Sequence, residues 1–230
     1  GVEVTDEETR APMGLLKRDH IRSMLRMPRI EKAWREHYNR APNADDVEAL
    51  YADFEPALMA VLPQHCDLKP QVLETVASLR EKGIKIGSTT GFTASMMEVV
   101  TQEASKSGYR PDMVVTADDT NGFGRPWPYM VFENMRRLGL QDVRRIVKVG
   151  DTVSDMREGK NAGLIAVGVV EGSSIIALDK ASWDKLSDMD RFALRKKARE
   201  TFFANGADFV IDTMGELPGL IKAIEKGERA

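Results

Sequence analysis

Apolar positions recur along this chain in two rhythms. Up to about residue 62 they keep helical spacing, and after it short β-branched runs alternate with helical stripes. Thr5-Asp6-Glu7-Glu8 has the form of a capping box and predicts a helix start, interrupted at Pro12. A second helix is predicted over Met13–Met27, with Met13, Lys17, His20 and Met24 on one stripe and Pro28 closing it. A third covers Arg29–Arg40, with Trp34 and Tyr38. A fourth carries Val47, Leu50, Tyr51, Phe54, Leu58, Val61 and Leu62.

Pro63–Pro70 reads as a linker between two prolines, and the pattern then alternates. Helices are predicted at Gln71–Lys82, Thr93–Ser107, from Pro128 to Gly139, after Ser154, at Asp188–Ala204 and at Met214–Glu225. Strands are predicted at Ile84–Ser88, Met113–Thr116, Ile146–Val149, Leu164–Val169 and Phe209–Ile211. Strands alternating with helices imply an α/β fold with a parallel sheet and helices on both faces. The expected division is an all-helical unit at 1–62 and a Rossmann-like core at 63–230.

Composition narrows the function classes. The chain has 230 residues, 42% hydrophobic and 30% charged, with a formal net charge of -3. Nothing in that balance points to nucleic acid or a membrane surface, and the basic runs Arg136–Arg137 and Arg195–Arg199 read as solvated helix faces. The single cysteine, Cys66, excludes an internal disulfide and fits a reducing compartment, so the expected location is cytoplasmic.

Candidate chemistry gathers where predicted strands end, the edge at which open α/β sheets bind ligands. Ser88-Thr89-Thr90-Gly91 offers hydroxyls and backbone N–H groups before a helix, which suits an anion; an ordinary helix cap is the alternative. Arg125, in Gly122-Phe123-Gly124-Arg125-Pro126, is a candidate phosphate clamp or a surface residue. Asp151 and Asp155 follow the apolar run Ile146–Val149. Paired carboxylates there suit Mg²⁺, and helix capping is again the alternative. Hydroxyl, cation and paired carboxylates on consecutive strand ends form a more specific set than any one of them.

That set resembles the second, third and fourth motifs of the haloacid dehalogenase superfamily: Thr90 in G-S-T-T-G, Arg125 in G-R-P-W-P and Asp151/Asp155 in V-G-D-T-V-S-D. Within it, M-G-L-L-K-R-D-H at Met13–His20, M-P-R-I at Met27–Ile30 and K-I-G-S-T-T-G at Lys85–Gly91 resemble the phosphonatase family. The resemblance implies a Rossmann-like core with a helical cap at residues 1–62, and hydrolysis of the P–C bond of phosphonoacetaldehyde to acetaldehyde and phosphate. It implies Lys17 as an imine-forming amine, with His20 a candidate proton shuttle. Thr90 and Arg125 would hold the phosphoryl oxygens; Met13, Gly91 and Phe92 would line the substrate. Asp151 would ligate Mg²⁺, and Asp155 would do so directly or through water. A homodimer through the cap is also implied, with Trp34 and Tyr38 as candidates for that surface.

The family's phosphoryl-accepting aspartate stands in a D-x-x-G-T motif on the first strand, and no such motif precedes Gly1. The expectation is therefore a fold lacking its first, middle strand and a polypeptide that does not turn over substrate alone. Two other readings stay open: a Mg²⁺-dependent phosphatase or phosphomutase of the same superfamily, and a non-catalytic fragment serving as a binding module.

Overall fold

The computed structural model describes residues 1–227. Four helices come first: α1 (Asp6–Arg10), α2 (Lys17–Leu25), α3 (Pro28–Tyr38) and α4 (Ala44–Val61). The capping boxes at Thr5/Glu8 and Asn43/Asp46 start α1 and α4, and Pro28 sits in the first turn of α3, where its missing N–H costs nothing. Leu25, Ile30, Trp34 and Val47 form a small core of their own.

Two sequence expectations change here. The helix predicted from Met13 begins only at Lys17, because Gly14 is left-handed (φ +86°) and residues 12–15 make a turn. Trp34 is buried (7% exposed) against Ile30 and Val47 instead of lying on an outer surface, while Tyr38 is 43% exposed. On α4, Val47 and Tyr51 are buried but Leu50, Phe54 and Val61 stay exposed, so the apolar stripe is wider than the face its neighbours cover.

A 3₁₀ turn at Leu62–His65 leads into the α/β part: α5 (Val72–Glu81), β1 (Gly87–Thr89), α6 (Ala94–Lys106), β2 (Met113–Val115), α7 (Tyr129–Leu138), β3 (Val147–Gly150), α8 (Val153–Ala162), β4 (Ile165–Val169), α9 (Lys180–Asp184), α10 (Asp188–Ala204), β5 (Phe209–Ile211) and α11 (Leu217–Glu225). All strand pairs are parallel, in two separate sheets, β1–β2 and β3–β4–β5. Among the described residues, β1 and β3 thus each keep one edge without a strand partner. Side chains link the two sheets instead, as Lys148 on β3 donates to Thr89 on β1.

β4 shows why the core takes this form. Val167 and Val169 pack with Leu79 of α5 and Leu217 of α11, whereas Ala166 packs with Met156 of α8 and Phe202 of α10. Alternate residues therefore feed opposite helical layers, the two-residue period of a strand buried on both faces. Gly168 continues the second set, and a Cβ there would come within 2.7 Å of the Phe202 ring. Phe202→Ala is expected to lower unfolding free energy by about 3–5 kcal/mol in denaturant titration. A loss below about 1 kcal/mol would show that this layer collapses freely around the deletion. The basic runs turn out to be paired: Arg136 and Arg137 with Glu133, Arg195 with Glu171, and Arg199 with Asp212.

Candidate active site

The end of β3 is built around a glycine. A Cβ at Gly150 would overlap the Asp155 side chain, so only glycine lets α8 turn back over the strand end. Thr152 caps α8 reciprocally with Asp155: the Thr152 hydroxyl and N–H donate to Asp155 Oδ2, at 2.6 and 3.2 Å. The capping alternative for Asp155 is thus realised, but it engages only one of its oxygens. Oδ1 faces Arg125 Nη2 and Lys148 Nζ, both at 2.9 Å. Burial opposes ionisation of Asp155, yet Arg125 and Lys148 outweigh it and hold the carboxyl below the usual carboxylate range. Asp151 is different. No side chain among the described residues donates to its carboxylate, and burial, reinforced by the nearby Asp155 charge, pushes its pKa up.

Arg125 lies nearly buried (9% exposed). Its Nε donates to Glu158 Oε2 at 3.1 Å, and its Nη2 donates to the Thr89 carbonyl at 2.6 Å and to Thr89 Oγ1 at 2.9 Å. Lys148 and Glu158 complete this network, and sequence reading missed both. The available signal was a lysine inside the apolar run Ile146–Val149, since a charge on a buried parallel strand needs partners. The hydroxyl in the network is that of Thr89. Thr90, the motif residue, accepts from the Phe92 N–H at 3.1 Å and opens the turn toward α6.

The segment Met13–Leu16 lies on these loops. Ser154 Oγ donates to the Met13 carbonyl at 2.9 Å. A Cβ at Gly124 would come within 2.5 Å of Leu16, and one at Gly91 would overlap the Leu15 carbonyl oxygen and approach that of Gly14 to 2.9 Å. Lys17 opens α2 immediately afterwards. Its Nζ sits 4.7 Å from the Phe92 ring centroid. Burial, then the charge of Arg125, lowers its pKa, and its place at a helix N-terminus works in the same direction. His20, one turn on, is buried with Nδ1 unpartnered, and burial followed by the Lys17 charge lowers its pKa. Met13 therefore contributes its backbone to this junction. Met24 packs into the small helical core with Leu25 and Trp34, so the stripe drawn from Met13 to Met24 is divided between two places.

A lowered lysine pKa has a direct consequence. The neutral, nucleophilic amine persists to lower pH than the usual lysine value of about 10.4 allows. Reductive labelling of Lys17 by a small aldehyde with borohydride is therefore expected to fall on acidification with a midpoint below that value. A midpoint at or above it would mean that the amine is solvated.

The residues also bear on a divalent cation. Asp151 is a partly buried carboxylate on which no side chain among the described residues donates, which suits one, whereas both oxygens of Asp155 are already engaged. Among the described residues no group of three histidine, cysteine or acidic side chains converges as a ligand set. One or two carboxylates, the rest of the shell being water and phosphoryl oxygen, is the manner of Mg²⁺.

Comparison with known proteins gives the family and the fold. The family model for haloacid dehalogenase-like hydrolases matches residues 2–163. Phosphonoacetaldehyde hydrolase of Bacillus thuringiensis (strain Al Hakam) is 46% identical over 99% of this chain and 86% of that protein. The protein of the same name from Bacillus cereus is 47% identical over the same shares. A crystal structure of a phosphonoacetaldehyde hydrolase-like protein from Oleispira antarctica superposes with a TM-score of 0.93 at 35% identity, covering 100% of this chain and 84% of that one. A β-phosphoglucomutase from Clostridium difficile, 12% identical with a TM-score of 0.64 over 99% of this chain and 83% of that one, shares the fold.

Proposed function

Since the chain belongs to the haloacid dehalogenase-like hydrolases, we propose that it cleaves the P–C bond of phosphonoacetaldehyde, yielding acetaldehyde and phosphate. The observation that carries this reading is Lys17: an amine partly desolvated against Phe92, its pKa lowered, close enough to Arg125 to feel its charge. A phosphatase has no use for such an amine, whereas a P–C bond needs one. A carbanion is a very poor leaving group, and an imine gives its electrons somewhere to go.

The neutral Lys17 amine adds to the aldehyde carbon, one proton is taken up and water leaves, giving a protonated imine. The P–C bond breaks, its electron pair forming the enamine C=C bond while the imine C=N pair returns to nitrogen. The phosphoryl group passes to a carboxylate acceptor. The enamine takes a proton at carbon, water hydrolyses the resulting imine to acetaldehyde and free Lys17, and water releases phosphate from the acceptor. His20 carries protons in the imine steps, its unpartnered Nδ1 being available for exchange. Arg125, with Thr90 at the turn, holds the phosphoryl oxygens and offsets their charge; Met13, Gly91 and Phe92 line the substrate. Asp151 would hold Mg²⁺, with Asp155 at one remove through water, and the ion would supply charge stabilisation to the phosphoryl oxygens.

In the same reading residues 1–62 are a cap over a core at 63–230, and two copies pair through the cap, which the exposed Leu50, Phe54 and Val61 support. The phosphoryl-accepting aspartate of the family matches no position in residues 1–230. The free edges of β1 and β3 support a further parallel strand bearing it in the catalytically complete enzyme. Residues 1–230 alone would then release no phosphate, and phosphate release by these residues would refute that part of the reading. Borohydride trapping with phosphonoacetaldehyde tests the central claim: a stable adduct on Lys17 supports it, and turnover without any adduct points to a phosphatase.

A further inference from the structure

We infer that Lys148 is a positioning residue that occupies Asp155 and Glu158, so that the Arg125 guanidinium keeps its charge and one free edge for an anionic substrate group. The inference rests on the phosphoryl-transfer reading above. Lys148 cannot itself hold substrate. Its Nζ donates to Thr89 Oγ1 at 2.7 Å and makes ion pairs with Asp155 Oδ1 at 2.9 Å and Glu158 Oε2 at 2.7 Å, so three protein oxygens surround the ammonium. Its stem is fixed too, since a Cβ at Gly159 would come within 3.0 Å of Lys148 Cβ.

Arg125 is held only in part. Nε goes to Glu158, and Nη2 goes to Thr89 and Asp155; among the described residues Nη1 makes no hydrogen bond. Two buried cations face two buried carboxylates, and the charges cancel. Without Lys148 the guanidinium would answer two carboxylates alone, and the cluster would carry a net negative charge toward an incoming phosphonate. Glu158 makes this acute: it is fully buried, and its Oε1 already lacks a partner. Stripped of Lys148, it would keep Thr89 and Arg125 Nε on Oε2 alone, and Oε1 would draw Arg125 Nη1 down to itself, because a buried carboxylate short of donors is costly.

The test uses the catalytically complete enzyme, with inorganic phosphate as the probe. Lys148→Met is expected to weaken phosphate binding about 10- to 100-fold, the worth of a lost charge-assisted contact. KM for the phosphonate should rise in step. Borohydride trapping of Lys17 by acetaldehyde, which has no phosphorus group, should proceed as in the parent. Lys148→Met/Glu158→Gln restores the charge balance and should recover most of the affinity. The amide oxygen can take the Oε2 position and accept from Thr89 and Arg125, while its nitrogen occupies the unpartnered Oε1 position. A lysine with a merely structural role would leave the double variant no better than the single one.

Unchanged phosphate binding in folded Lys148→Met, or no recovery in the double variant, overturns the inference and leaves the reaction assignment standing. Should the single variant not fold, Glu158→Gln decides: freeing Arg125 of one carboxylate should leave phosphate binding equal or tighter, and weaker binding overturns the inference. A parent enzyme that binds no phosphate refutes the reaction assignment itself.

Discussion

Lys17→Met in the complete enzyme is expected to abolish release of phosphate from phosphonoacetaldehyde and formation of any borohydride-stable adduct, while phosphate binding and folding survive. The electronic argument requires the first two results. With no imine, cleavage would have to expel an enolate, and a neutral carbonyl takes up that electron pair far less readily than a protonated imine. The physical setting of Lys17 requires the others. The ammonium form is penalised by burial and by Arg125, so replacing it with an uncharged side chain of similar length over Phe92 removes a cost and creates no cavity. Thermal unfolding should therefore occur at the same temperature or higher. Arg125 keeps all its partners in this variant, so inorganic phosphate should still bind. Residual turnover of the phosphonate at parental rates would eliminate the imine route.

Gly91→Ala should lower kcat/KM by about 10²-fold without a comparable loss of stability, the cost of a reacting group displaced by roughly an ångström. The backbone at Gly91 is not left-handed, so alanine brings no conformational strain. Its methyl would instead meet the Leu15 carbonyl oxygen, and backbone cannot rotate away as a side chain can. The segment that leads into Lys17 would be held off the core, and the amine would leave the neighbourhood of Arg125. Two observations would follow together: slower turnover, and a Lys17 labelling midpoint shifted back toward that of an ordinary lysine. Gly14→Ala cannot separate these effects, because φ there is +86° and strain would be added to the clash with Thr152. Parental activity in Gly91→Ala would mean that the Met13–Leu16 segment need not sit where the structure shows it.

Most elements were legible from local pattern. α10 and β5 fall at the residues that periodicity and turn signals predict, and α6 begins after its threonine cap. The departures share one cause. The helix at Lys17 starts late because the Met13 carbonyl is taken by Ser154, far along the chain, and because Gly14 sits where Thr152 leaves room for no side chain. Trp34 is interior because α3 meets α2 and α4, which no window of sequence around Trp34 reveals.

For the site, the types and order of the groups were written in the chain: hydroxyls after β1, arginine after β2, carboxylates after β3 and a lysine in the helical segment. Parallel strands bring their C-terminal ends to one edge whatever else the fold does, so these groups had to lie near one another. Which of them pair was decided only in three dimensions. Local sequence sets backbone conformation over a few residues, while hydrogen-bond partners are chosen by distances between segments tens of residues apart. Thus Asp155 is turned to Arg125 and Lys148, Thr89 rather than its neighbour Thr90 bonds to Arg125 and Lys148, and among the described residues no side chain donates to the Asp151 carboxylate. The desolvation that lowers the Lys17 pKa belongs to the same class, because it exists only once the first 16 residues have folded the amine down onto Phe92.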